Sequence, residues 1–501
     1  MTEVAEDSTL RNDLRNQFYF YDRASQTSNP LIRQRGVATE PPPTTDFNDS
    51  LCQWAIYDAY MQEQDEQKRN KPKVTDEELL DQKAKQPDLM YGESMKRTLK
   101  VMERLTNQNS EAEVFADYKY WEDQADQYRD GDGVLLPLWR FACDRARRKQ
   151  VTSLKWNPRY PDLFAVGYGS FDFLKQSSGL VCCFSIKNTR FPEFVLQSES
   201  GVCSLDWHPS EPALLVVGLY DGGVAVYDVR SKNKKPLYQC SGRAAKHTDP
   251  VWGVRWLTEE PLAFTSASSD GAVHTWRLMK TRLEGEVTME LAAGDGTALA
   301  GLASALCFDF KGDSLFAIGT EEGMIYRCSR ASTLGYLGVH KGHGMAVYSV
   351  KWNPFHEKVF ISASADWTVR LWHEDYPEAL AIFELGQAVG DVSWAPYSST
   401  VFAAITADGF VHFYDLNVNR QDRILHQKVT KKSKLTQIAF NRSEPVVLVG
   451  DERGSTTSLK LSPNLRVVGT EVGKAKENVE RSKMTRVVEL ILSGEAGSQH
   501  Q

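Results

Sequence analysis

The chain contains no Cys-x-x-Cys pair, and its eight cysteines are scattered over 501 residues without the close spacing of a metal site. Four of them, Cys182, Cys203, Cys307 and Cys328, fall in strand-like patterns, where buried, reduced thiols of an intracellular protein are expected. No apolar run approaches the roughly 20 residues of a membrane helix. The opening Met-Thr-Glu-Val-Ala-Glu-Asp is acidic and lacks an apolar centre, so it does not read as a secretory signal. Positive charge is not in excess: 59 Lys and Arg stand against 66 Asp and Glu, a net charge of −7, where a nucleic-acid binder is usually basic. A Gly-rich phosphate loop is missing, and so is a paired acid and base. These absences predict a cytosolic, non-catalytic protein with no cofactor, no metal, no nucleic acid and no membrane. The composition is otherwise ordinary, 41% hydrophobic and 25% charged, which is enough to build a large core.

What is present is a phrase repeated seven times between Val151 and Leu461. It runs apolar-x-x-apolar-x-Trp/Phe, then a short apolar strand, then a turn, often Asp-Gly, then a last strand. The clearest copy is Val347-Tyr-Ser-Val350-Lys-Trp352-Asn-Pro354, followed by Val359 to Asp366 and Val369-Arg-Leu-Trp372. The first-strand aromatics are Trp156, Trp207, Trp256, Phe310, Trp352, Trp394 and Phe440. A period of roughly 40–50 residues with four short strands per unit predicts an all-β, seven-bladed WD-repeat β-propeller. The extra strand Leu135-Leu-Pro-Leu-Trp139-Arg-Phe141 has no partner unless it is the outer strand of the seventh blade, closing the ring. Asp221-Gly-Gly, Asp270-Gly and Asp408-Gly fit tight hairpins. Two insertions break the spacing, Gly169–Ser178 in blade 1 and Glu284–Ala303 between blades 3 and 4. Loops of that length are either functional or merely tolerated.

His343, Ser362 and Asp366 resemble a Ser-His-Asp triad. The repeat argues otherwise, because blade 3 carries His247, Ser266, Asp270 and Trp276 at the same spacing as His343, Ser362, Asp366 and Trp372. A set that recurs in register with the fold reads as a structural hydrogen-bond chain, since an unpaired buried polar group costs about 1–3 kcal/mol.

The flanks differ from the repeats. Domain boundaries are expected at 1–50 (a disordered, polar segment), 51–134 (helical, partner-binding), 135–470 (propeller) and 471–501 (a charged tail with a possible short helix). Thr39-Glu-Pro-Pro-Pro43 excludes helix in the first part. In the second, Trp54, Tyr57, Tyr60 and Met61 share one helical face; Met95, Leu99, Met102 and Leu105 share another; Phe115, Tyr118, Trp121, Ala125 and Tyr128 a third. Such short helices need another surface, either the propeller or a partner.

Two binding candidates stand out. Arg23-Ala24-Ser25-Gln26-Thr27 has hydroxyl and β-branched side chains and no helix signal, so it suits strand addition to another protein's sheet edge, with Gln26 as polar anchor. The alternative is a solvated polar run. Nearby Arg35-Gly-Val37-Ala-Thr39 echoes it, with Ala38 in place of Gln, and two such segments would gain avidity on a dimeric partner. The other candidate is basic. Arg145, Arg147, Arg148 and Lys149 precede the first strand of blade 1, and Lys431, Lys432 and Lys434 precede that of blade 7, so both clusters belong on one rim. That rim is either a solvated surface or a contact for an acidic partner.

The ordered phrases Arg23-Ala-Ser-Gln-Thr27, Thr39-Glu-Pro-Pro-Pro43, Gln53-Trp-Ala-Ile-Tyr-Asp-Ala-Tyr60, Val101-Met-Glu-Arg104, Leu135-Leu-Pro-Leu-Trp139 and Leu163-Phe-Ala-Val-Gly-Tyr-Gly169 resemble the axonemal outer-arm dynein intermediate chains, type 1 above all. Ala388 to Phe402 and Leu461-Ser-Pro-Asn-Leu465 extend the likeness through the propeller. The resemblance implies a non-catalytic subunit at the base of a ciliary or flagellar motor, pre-assembled in the cytoplasm. Its implied partners are a dynein heavy chain, a second WD-repeat intermediate chain, dimeric light chains, and the doublet microtubule directly or through docking proteins. It assigns Arg23, Ser25, Gln26 and Thr27 to light-chain uptake. The second segment, Val37 to Thr39, departs from the pattern by lacking the Gln, and the Tyr60–Met95 linker is short for the family. The alternatives are a cytoplasmic dynein intermediate chain, which the absence of heptads in residues 1–20 disfavours, and a non-motor WD-repeat adaptor, which leaves the N-terminal phrases unexplained.

Overall fold

The computed structural model describes residues 53–69, 92–110, 133–231, 234–240, 246–260, 262–280, 282–291, 304–312, 314–331, 336–466 and 474–493. Within them, strands numbered β1 to β28 in chain order form seven antiparallel sheets of four. Blade 1 runs from β2 (Gln150–Trp156) to β5 (Phe194–Ser198), blade 2 from β6 (Val202–Trp207) to β9 (Tyr238–Gln239), and blade 3 from β10 (Val251–Trp256) to β13 (Leu283–Glu290). Blade 4 runs from β14 (Ala305–Lys311) to β17 (Gly338–Lys341), blade 5 from β18 (Val347–Trp352) to β21 (Ala381–Glu384), and blade 6 from β22 (Val389–Trp394) to β25 (Leu425–Lys428). Blade 7 is β26 (Leu435–Phe440), β27 (Val446–Asp451), β28 (Ser455–Leu461) and, outermost, β1 (Leu135–Ala142). Leu135 lies opposite Leu461 and Ala142 opposite Ser455, so β1 covers the edge that the last blade would otherwise leave unpaired. Each inner strand touches the next, and β26 touches β2, which closes the ring.

The core lies between blades. Ala165, Val181 and Cys183 of blade 1 interlock with Leu205, Leu215 and Val217 of blade 2, and the same happens around the ring. The repeated inner-strand tryptophan adds a directed link. The indole N–H of Trp207 donates to Lys155 O at 3.2 Å, that of Trp256 to Asp206 O at 3.2 Å, that of Trp394 to Lys351 O at 3.1 Å and that of Trp156 to Ala439 O at 3.2 Å. Each therefore bonds the backbone of the preceding blade. The asparagine after the aromatic links the other way: Asn157 Nδ2 donates to Pro212 O, Asn353 Nδ2 to Ser399 O and Asn441 Nδ2 to Pro161 O. Its Oδ1 meanwhile caps its own turn, accepting from the N–H groups two and three residues on.

An antiparallel meander fixes which loops share a face. Loops leading into first strands, and hairpins joining second to third strands, emerge together; hairpins joining first to second strands emerge opposite. The second-to-third hairpins need positive φ, and Gly222, Gly271, Gly323, Gly409 and Gly454 supply it in blades 2, 3, 4, 6 and 7. Blade 5 places Trp367 there, at φ 71°, a conformation that disfavours a bulky side chain. In blade 1 the turn is replaced by the insertion between Gly169 and Gly179.

The opposite face is covered in part by the chain's own C-terminal segment. Helix α3 (Lys474–Leu492) buries Met484, Val487 and Val488 against Val359, Leu371 and Leu416 of blades 5 and 6. The Glu480 carboxylate accepts from Ser399 N–H at 2.8 Å, and Ser399 Oγ donates to Glu480 O at 2.8 Å. Arg481 pairs with Glu357 at 3.3 Å. This helix is longer than the short terminal one expected, because its apolar positions Met484, Val487, Val488 and Ile491 are spaced to meet the blades on a single face.

One expectation is corrected. The proposed Glu284–Ala303 insertion begins with a strand: Leu283–Glu290 is the outer strand of blade 3, paired with Ala272–Leu278, and residues 292–303 lie outside the described residues. Its polar side chains hide the strand pattern, since an outer strand is half-exposed and here carries Glu284, Glu286 and Glu290, with a register shift that interrupts the alternation.

Two helices precede the ring in sequence, α1 (Gln53–Arg69) and α2 (Glu93–Ser110). Tyr57, Tyr60 and Met61 of α1 are exposed, as are Leu99, Val101, Met102 and Leu105 of α2. The third helix foreseen, from Phe115 to Tyr128, lies outside the described residues.

Candidate functional site

The triad-like residues form two parallel chains of contacts. In blade 3, Trp276 Nε1 donates to Ser266 Oγ at 2.7 Å, Ser266 Oγ lies 2.7 Å from His247 Nε2, and His247 Nδ1 lies 3.0 Å from Asp270 Oδ2. In blade 5 the distances for Trp372, Ser362, His343 and Asp366 are 2.8, 2.6 and 2.8 Å. With the proton on Nδ1, every donor in each chain finds an acceptor. Ser266 and Ser362 are 0% exposed and their hydroxyls are engaged on both sides, so neither can meet a substrate carbonyl. Burial pushes the Asp270 carboxyl up, but hydrogen bonds from His247 and from the N–H groups of Ala272 and Thr248 outweigh it and hold the pKa at about 2. Asp366 is lowered in the same balance, with Thr368 and His343 as donors. The chains brace the loop before the first strand against the hairpin after the second.

That bracing belongs to the face on which the first strands begin, opposite the one that α3 covers; the basic clusters also lie on this open face. Arg145, Arg147 and Arg148 are exposed and Lys149 is half-buried; Lys431, Lys432 and Lys434 are exposed. The blade 7 hairpin brings the two clusters together. Arg453 Nη2 donates to Lys432 O at 3.2 Å, and Glu452 N–H donates to Lys434 O at 2.9 Å. On its other side Gly454 lies so close to the basic loop that a Cβ there would sit 2.7 Å from the carbonyl oxygens of Ala146 and Lys149. Arg148 holds φ 74°, the second non-glycine on this face in a left-handed conformation besides Trp367.

Next to Lys149 stands the blade 1 insertion, which sequence reasoning left undecided. Lys149 Nζ donates to Ser178 O and lies 3.3 Å from Ser178 Oγ. Gln150 Oε1 accepts from Phe171 N–H at 2.9 Å, Asp172 Oδ1 from Leu174 N–H at 3.0 Å, and Gln176 Nε2 donates to Ser170 O and Asp172 O at 3.0 and 2.9 Å. The Phe171 ring stacks on Trp252 of blade 3, centroids 5.8 Å apart. This well-tied loop nevertheless presents Phe173 and Leu174 to water, 77% and 86% exposed. Adjacent apolar side chains held out by a rigid loop form a ready anchor for a partner. The signal in the sequence was the Phe-Asp-Phe-Leu run inside an insertion, but only the hydrogen bonds distinguish a rigid hook from a slack loop.

The strand-addition candidates Arg23, Ala24, Ser25, Gln26, Thr27, Val37 and Thr39 lie outside the described residues. Trp54 falls within α1, and Tyr57 and Tyr60 are exposed on it. Among the described residues no group of His, Cys, Asp and Glu could hold a metal ion, and no helix is long and apolar enough to cross a membrane.

Residues 335–373, from the outer strand of blade 4 through the first three strands of blade 5, match the WD domain, G-beta repeat. Across nearly the whole chain the likeness is to dynein subunits. Dynein intermediate chain 2, ciliary, of Heliocidaris crassispina is 46% identical over 98% of this chain and 74% of its own length. Dynein axonemal intermediate chain 1 of Bos taurus is 44% identical over 95% and 72%. The 78 kDa intermediate chain of the flagellar outer arm dynein of Chlamydomonas reinhardtii is 43% identical over 99% and 76%. The likeness favours the axoneme over cytoplasmic transport or a non-motor adaptor, and it extends well beyond the ring that any WD-repeat protein would share. The chain belongs to the axonemal dynein intermediate chains, the WD-repeat scaffolding subunits of the ciliary and flagellar motor.

Proposed function

We propose that the chain is a non-catalytic scaffold of an outer arm, and that it grips a dynein heavy chain with the open face of its propeller. The observation that carries this reading is the meeting, on that face, of the basic rim (Arg145, Arg147, Arg148, Lys149, Lys431, Lys432, Lys434) with the exposed Phe173–Leu174 hook. Desolvated apolar anchors supply affinity and a charged surround steers association and orientation. An acidic, amphipathic segment of the heavy chain fits both halves. Strain at Arg148 and Trp367 also supports it, since non-glycine residues at positive φ gather at binding sites.

The flanks complete the scaffold. Arg23, Ala24, Ser25, Gln26 and Thr27 add as a strand to a dimeric light chain, with Gln26 as anchor and Val37 and Thr39 as a weaker second site. Trp54 with the exposed Tyr57 and Tyr60 of α1, and the exposed Leu99, Met102 and Leu105 of α2, serve the second intermediate chain or further light chains, and the assembly docks on the doublet microtubule directly or through other proteins. Affinity purification from ciliated cells tests the reading. The intact chain is expected to recover axonemal heavy chains, and Gln26→Ala to lose the small light chain while keeping them. Absence of heavy chains from the intact pull-down overturns the scaffold, and unchanged light-chain recovery overturns the anchor.

A further inference from the structure

We propose that Cys143 and Cys182 form a peroxide-sensitive thiol pair, a modification site at the ring's closure whose disulfide fastens the root of the basic loop to blade 1. This goes beyond the scaffold reading and does not depend on it. The pair arises from strand register. Cys143 continues the extended backbone of β1, at φ −128° and ψ 131°, and so shares a face with Phe141 two residues earlier. Cys182 and Phe184 likewise share one face of the third strand of blade 1 (Gly179–Ser185). Phe141 meets Phe184 with ring centroids 5.6 Å apart. Because the two strands run in opposite directions, the next residues along these faces, Cys143 and Cys182, fall opposite each other. Cys143 packs against the cluster that contains Cys182, and the two thiols share a hydrogen bond.

The surroundings divide the labour. That hydrogen bond, with the Arg145 and Ala146 N–H groups and the Arg145 charge, outweighs burial and lowers Cys143 to about 6, and Cys143 is half-buried rather than sealed. Cys182 is buried, and its hydrogen bond to Cys143 together with burial raises its pKa. Cys143 is thus the attacking thiolate and Cys182 the resolving thiol. The Cys143 sulfur attacks one oxygen of hydrogen peroxide, the O–O bond breaks, and the departing hydroxide takes a proton to become water. Cys182 sulfur then attacks the Cys143 sulfenic acid; the S–O bond breaks, and the second hydroxide leaves as water with the Cys182 proton. Two thiols are oxidised by two electrons and one peroxide is reduced to two waters. Cys183 offers an internal control: it sits one residue from Cys182 but on the other strand face, within the core shared with blade 2, where burial holds its thiol up at about 12.

The test is peroxide treatment of the reduced full-length chain at pH 7, then alkylation and mass spectrometry of non-reduced peptides. A Cys143–Cys182 linked peptide is expected, with Cys183 and Cys240 still alkylated. Cys143→Ser, a change at a half-buried site that the fold tolerates, should leave Cys182 reduced, and Cys182→Ala should leave Cys143 as a dimedone-reactive sulfenic acid. Cys143 remaining fully alkylatable in the wild type, or its sulfenic acid persisting there without the linked peptide, would overturn the proposal. So would a linkage to Cys183.

Discussion

The two faces of the ring are built from the same repeat and finished differently. On one, α3 fills the space over blades 5 and 6, its Met484, Val487 and Val488 dry and its Glu480 satisfied by Ser399. On the other, the exposed cations Arg145, Arg147 and Arg148 gather beside Phe173 and Leu174, which stand in water. The first face is finished for stability. The second is braced from within by the Trp-Ser-His-Asp chains and holds strain at Arg148 and Trp367 that folding alone does not require.

The contrast can be broken most forcefully at α3. Met484→Ala should lower stability by about 2–4 kcal/mol, and Glu480→Ala, which strands the Ser399 N–H, by about 1–3 kcal/mol. Phe173→Ser and Leu174→Ser should stay within about 0.5 kcal/mol. Urea denaturation compares them, and equal losses on both faces would erase the distinction. Ser362→Ala comes next, at about 1–3 kcal/mol, because it leaves the Trp372 indole N–H and His343 Nε2 unpaired in a buried site; an undisturbed midpoint would mean that the chain does not brace the open face.

Acid should act on His356 and Asp270 in order. Burial first, then the His373 and Arg481 charges, lowers His356 near the covered face to about 4. The unfolded chain, with an ordinary His near 6.5, therefore takes up this proton first, so stability falls as pH drops from about 6.5 toward 4, by on the order of 1–3 kcal/mol. Asp270 on the open face has its folded pKa depressed to about 2. Its contribution is complete above the unfolded value near 4 and is lost as pH falls through 2. In midpoint-versus-pH curves His356→Gln should flatten the upper limb and Asp270→Asn the lower; the reverse assignment would contradict the geometry. The smallest effect is expected at Trp367, 54% exposed at φ 71°. Trp367→Gly should raise stability by about 1 kcal/mol or less, and a loss would show that the indole packs more than it strains.

Much of the ring was legible because a propeller repeats its physics. Seven aromatics at the ends of inner strands, Asp-Gly hairpins and an orphan strand at Leu135 leave little freedom in how the blades are counted and closed. The duplicated His247 and His343 sets disclosed their structural nature by recurring in register. What stayed hidden depends on contacts between blades or across long separations. The roles of Trp207 Nε1 and Asn157 Nδ2 need the neighbouring blade's carbonyl, and docking of α3 needs Ser399. The rigidity that makes Phe173 and Leu174 an anchor rests on Gln150 and Gln176. The outer strand Leu283–Glu290 was missed because its exposed glutamates dilute the apolar alternation.

The central claim, that the open face grips the heavy chain, is tested most directly by reconstitution with a heavy-chain tail segment and measurement of affinity against salt. The variant Arg145→Glu, Arg147→Glu, Arg148→Glu, Phe173→Ser and Leu174→Ser should bind at least about tenfold more weakly, a loss of about 1.4 kcal/mol or more, with a shallower salt dependence. Arg481→Glu on the covered face should bind as the wild type does. Wild-type affinity in the open-face variant, or loss of binding confined to Arg481→Glu, would contradict it.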